Sequence, residues 1–144
     1  MTAQTLVGAV TAIAAVVDGV SGIEAAPAIP KENLNNRTFA LTYVMTSAVE
    51  ISETGTKQHL VLIAIDLLRP LVNLNNELTI LLPIVDAVST ALITEMTSGG
   101  DAFSNTIDTF SILRIEFLPS YTYSAVDCIG YRIMMEDTKL KLDL

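Results

Sequence analysis

Residues His59 to Pro70, HLVLIAIDLLRP, carry an unbroken apolar run from Leu60 to Ile65 that ends on Asp66, Arg69 and Pro70. The run is far short of the ~20 apolar residues that a bilayer-spanning helix needs. It follows SETGTK, a turn sequence around Gly55, and it is rich in Leu, Val and Ile. A short apolar run beside a turn reads as a central strand buried on both faces. Asp66 and Arg69 are expected where the chain leaves the core.

Such a strand needs neighbours, and the residues before it supply one. Phe39, Leu41, Tyr43, Met45, Val49 and Ile51 share one parity, with Thr42, Thr46 and Glu50 on the other. That alternation marks a half-buried strand, and the Gly55 turn joins the two into a first hairpin over 38–67. A second hairpin is expected over 106–137. Leu113, Ile115 and Phe117 are expected to face in and Arg114 and Glu116 out. PSYTYSA turns the chain, and Ile129, Tyr131, Ile133 and Met135 then lie opposite Arg132 and Glu136. The closing segment 138–144 still alternates, with Leu140, Leu142 and Leu144 together, as an arm adding to a sheet edge would.

Two segments carry helical periodicity. In the first, within 1–21, Leu6, Val10, Ile13, Val17 and Val20 form one face, while Gly8, Ala12, Ala15 and Gly19 form a face of small residues. Small residues let another backbone approach, so this helix is expected to meet the sheet on one side and a neighbour on the other. A signal peptide is disfavoured because no Lys or Arg precedes Lys31. A membrane insertion through residues 3 to 23 is disfavoured by Asp18 and the lack of flanking basic residues. Residues 22–37, with two prolines and three asparagines, read as a long loop. Over 73–97 a second helix is expected, capped by Asn73, Asn75 or Asn76, with Glu77 in its first turn and Gly99-Gly100 as its stop. Its stripe is Leu78, Leu81, Leu82, Val85, Val88, Leu92 and Met96, and Pro83 should kink it or open another helix. Hairpins separated by helices give a single α+β domain: an antiparallel sheet of two hairpins with helices on one face.

Composition limits the function classes. Apolar residues make up 51% of the 144 and charged residues only 17%, which points to apolar surface buried either in a membrane or in other subunits. With 16 Asp+Glu against 8 Lys+Arg the net charge is -8, and no basic run exists to grip nucleic acid. One cysteine and one histidine exclude an internal disulfide and a structural Cys/His zinc site. No metal or cofactor is expected.

No motif points to catalysis. Cys128 and His59 form the sole Cys/His combination, and they read more simply as a small buried hydrophobe and a polar strand residue. TSGGDAF lacks the lysine and preceding strand of a phosphate loop, and Asp108, Glu116 and Asp127 are scattered along a hairpin. A ligand-binding or enzymatic domain would need clustered polar groups at strand ends, where His59, Asp66 and Arg69 are the candidates. The better candidates are for contact: Gly8, Ala12, Ala15, Tyr121, Tyr123, Leu140 and Leu142.

This organisation resembles the tail terminator (tail-to-head joining) proteins of long-tailed bacteriophages. The likeness runs from about Leu6 to Lys139. It comprises the small-residue N-terminal helix, the long loop into RTFALTYVM, the strand HLVLIAIDLLRP, the helix NELTILLPIVDAVSTALI and a last strand with GYRIMME. Pro83 and the KLKLDL tail depart from it. The resemblance implies a structural protein without enzymatic activity, assembled in the host cytoplasm and placed in the virion neck. It implies a self-assembled six-membered ring that caps the tail tube protein and docks to the head connector or head-completion protein. DNA would pass through without specific binding, and no membrane would be involved. An acidic lumen keeps phosphate from adhering, and Glu53, Asp101, Asp108 and Asp127 are the candidates to line it. Another neck or tail subunit is the nearest alternative.

Overall fold

The computed structural model describes residues 5–25, 37–51, 57–97, 102–123 and 125–140. Among them, α1 is Leu6–Asp18, β1 Ile23–Ala25, β2 Thr38–Ile51, β3 Lys57–Pro70 and α2 Leu74–Thr97. A helical turn, α3 (Ala102–Asn105), precedes β4 (Ile107–Thr109), β5 (Ile112–Tyr123) and β6 (Val126–Leu140). The fold is α+β, as the hairpins and helical periods imply. The strands form one sheet in the order β1-β2-β3-β6, with β4 and β5 sharing the outer side of β6. All pairings are antiparallel except the short parallel β1–β2 pair. That parallel strand lies in the segment expected to be loop throughout; residues 26–36 lie outside the described set.

β3 occupies the centre and is buried on both faces, from Ile63 to Pro70 without a break. On the face that carries the helices, Val61, Ile63, Ile65 and Leu67 join Ile129, Ile133 and Met135 of β6. Ala9, Ile13 and Val17 of α1 and Leu81, Val85, Val88 and Leu92 of α2 close over them. Each fully buried Ile or Leu here contributes roughly 1.5–3 kcal/mol. Gly130 marks the tightest point: a Cβ there would collide with the Leu67 carbonyl and the Leu68 side chain, so β6 needs glycine to lie beside β3.

In the first half of β2 the parity of Phe39, Leu41 and Tyr43 packs on the face without helices. Register places Ala40, Thr42 and Val44 with Leu67, Ile65 and Ile63 on the helix side. Phe39, Leu41 and Tyr43 therefore face away, and Phe39 seeds a second small cluster with Leu68, Leu118 and Cys128. A bulge between Val44 and Thr46 then shifts the parity. It brings Val49 and Ile51 to the helix side, where both are exposed. β6 bulges between Met135 and Thr138, opposite the same point of β3, with Asp137 in the left-handed region (φ 54°).

α2 is one continuous helix through Pro83, which lies on its exposed side, where the unpaired carbonyl four residues earlier can meet water. Asn73 caps it by accepting from the Asn76 N–H at 3.2 Å. Of the segment 138–144 expected as an arm, residues 138–140 continue β6: Leu140 pairs with Ile107 and is fully buried. Leu142 and Leu144 lie outside the described residues.

Candidate functional site

Asp66 and Arg69, expected at the exit from the core, are both buried because distant residues pair them. Asp66 points to the face opposite the helices and is 0% exposed. It lies directly across from Arg132 of β6 and Leu41 of β2. Arg132 donates Nε to Oδ1 at 2.8 Å and Nη2 to Oδ2 at 3.2 Å, a two-pronged contact. The Tyr43 hydroxyl donates to Oδ2 at 2.8 Å, and the Arg132 guanidinium lies 5.9 Å from the Tyr43 ring centre. Burial, then the Asp66 carboxylate, raises the Tyr43 hydroxyl above the ordinary phenol range. The same two causes raise Tyr121 of β5. Hydrogen bonding to Asp66 holds the Arg132 guanidinium more firmly protonated. Both carboxylate oxygens are taken by donors and the tyrosines hold their protons. This cluster is built to tie β2, β3 and β6 together.

Arg69 belongs to a separate network at the β3–α2 junction. Its Nη1 donates to Thr38 Oγ1 at 2.9 Å and its Nη2 reaches Glu77 Oε1 at 3.5 Å. Glu77 Oε2 accepts from the Asn73 backbone N–H at 2.8 Å, so one buried carboxylate serves both the arginine and the helix cap. Arg69 Nε has no partner.

His59 sits near the other end of β3, opposite Val49. The three polar residues that a pocket enzyme would need are therefore not brought together. His59 and Cys128 are also far apart, because Cys128 pairs with Pro70, eleven residues along β3 and roughly 35 Å away. Burial pushes the Cys128 thiol up to about 11, which leaves it protonated at neutral pH. Among the described residues no group of three His, Cys, Asp or Glu is placed to hold a metal.

The contact candidates divide. Gly8 is half-buried and Ala15 exposed, but Ala12 is buried in the chain's own core, because α1 turns Ala9, Ala12, Ile13 and Val17 toward the sheet. Leu140 is likewise a core residue. Tyr121 and Tyr123 belong to strand β5 and not to a loop, and both are half-buried. The Tyr123 ring lies 5.0 Å from that of Phe39. Of the lumen candidates, Asp108 and Asp127 are exposed but at opposite ends of β6; Glu53 and Asp101 lie outside the described residues.

The largest departure from sequence expectation is β5. Register places Ile115 and Phe117 on the helix side, opposite Ile133 and Tyr131, yet they are 47% and 42% exposed. α1 lies over β2, and α2 over β3 and β6. Two helices, each roughly 10 Å across, cover about four strands spaced ~4.8 Å apart. The fifth position is left over, so Ile115 and Phe117 form an apolar shelf beside Tyr131, whose ring lies 5.3 Å from that of Phe117. At the other side of the sheet Leu6, Val7, Val10, Thr11 and Val44 line an apolar groove of about 310 Å³, with Val7 77% exposed. β2 has no strand on its outer side beyond Ala40 among the described residues.

No protein-family model matches the chain, and no curated protein matches it.

Proposed function

We propose that this chain is the subunit of a tail terminator ring, a structural virion protein that ends tail-tube growth and joins the tail to the head connector. The observation that carries the reading is the exposed apolar shelf of Ile115 and Phe117 on the outermost strand. A shelf one strand wide, on the face that elsewhere carries helices, is what a subunit leaves for a neighbour to cover. Its position at one side of the sheet, with a stretch of β2 at the other that no strand among the described residues covers, suits head-to-tail contacts that close into a ring. The order of helix, hairpin, long helix and hairpin supports the phage identity through the resemblance to tail terminators. The buried, donor-saturated Asp66 and the protonated Cys128 favour assembly without turnover.

On this reading the partners are further copies of the chain, the tail tube protein and the head connector. DNA passes through the ring without being specifically bound, and of the candidate lumen carboxylates Asp108 and Asp127 are exposed, at opposite ends of β6. The place of work is the virion neck, after assembly in the host cytoplasm. Negative-stain microscopy of the purified full chain tests the assembly, and tail lengths in a phage lacking the gene test the role. Rings together with tails of uncontrolled length are expected. Monodisperse monomers, or tails of normal length without the protein, overturn the proposal.

A further inference from the structure

No further inference is drawn: the strongest candidate, the apolar groove between α1 and β2 lined by Leu6, Val7, Val10, Thr11 and Val44, is an unpartnered face, and nothing in the structure shows what covers it.

Discussion

Arg132 and Asp66 face each other across β6 and β3, 66 residues apart in the chain, and meet through a 2.8 Å hydrogen bond at the middle of the sheet. Asp66 is completely buried, whereas the Arg132 side chain keeps 21% of its exposure. Removing the carboxylate strands a half-buried guanidinium and the Tyr43 hydroxyl. Asp66→Ala should therefore cost about 3 kcal/mol, the lower end for a broken buried pair because Arg132 can partly reach water. The double variant Asp66→Leu, Arg132→Leu should recover much of that loss, since no orphaned charge remains. Urea denaturation of the three proteins measures both effects. A double variant less stable than Asp66→Ala would show that the pair is not the main contribution at this position.

Alkaline pH should weaken the fold in a defined window. Cys128, Tyr43 and Tyr121 all hold their protons more tightly when folded than their ordinary values of 9.0, 10.0 and 10.0 imply. A raised folded pKa contributes stability below the unfolded value, and that stability is lost as pH rises past it. Stability should thus fall around pH 9, where the unfolded thiol is half ionised, and more steeply from pH 10. Tyr43→Phe should flatten the upper part of this decline and Cys128→Ala the lower part, as read from melting temperature against pH. Unchanged slopes in both variants would rule out these groups as the cause.

Leucine substitutions along α1 separate folding from association. Ala12 lies against the core, so Ala12→Leu should overpack it and cost about 1–3 kcal/mol. Ala15 is exposed, and Ala15→Leu should leave the melting temperature near that of the parent. If this face meets a neighbouring subunit, Ala15→Leu instead alters the size-exclusion profile at constant fold. Equal destabilisation by both substitutions contradicts the observed orientation of the helix.

On β5, Phe117→Lys and Ile115→Lys place a charge on the apolar shelf without touching the core. On the ring proposal, light scattering should show smaller particles for these variants than for the parent, with far-ultraviolet circular dichroism unchanged. Particles of parental mass in both variants would remove the shelf from the assembly interface.

Asp108→Lys and Asp127→Lys probe the two ends of β6, roughly 40 Å apart along the strand. Duplex DNA carries about one charge per 1.7 Å of axis, so lysine on a channel wall should retain it at low salt and release it at high salt. Filter retention by assembled protein measures this. If neither variant holds DNA, these two carboxylates do not line the path.

Features whose physics is local are legible in the residues alone. Leu60–Ile65 is a short apolar run without polar alternation beside the Gly55 turn, and those signals together mark a central strand. The 3.6-residue stripe Leu81, Val85, Val88 and Leu92 needs a helix, and Asn73 and Glu77 supply its start through groups four residues apart. The α+β class follows from these periods and from the turns between them. Gly130 was visible as a glycine inside an apolar strand, but the Leu67 carbonyl it accommodates comes from another strand.

Which face of each strand is covered depends on contacts between segments distant in the chain. In β2 both parities offer apolar residues, and the bulge at Met45 exchanges them midway, so alternation alone could not say where the helices sit. Asp66 and Arg69 read as exit signals because exposure is the default for a charge. Their burial depends on Arg132, Tyr43, Thr38 and Glu77, most of them distant in the chain and brought near only by strand register. Leu140 reads as part of an arm adding to a sheet edge, and it lies in the core because β6 runs on to it and β4 pairs with it. Ile115 and Phe117 carry the same alternating pattern as covered residues. They are open because two helices are narrower than this sheet, a geometric fact that belongs to the assembled fold and to no single segment of the chain.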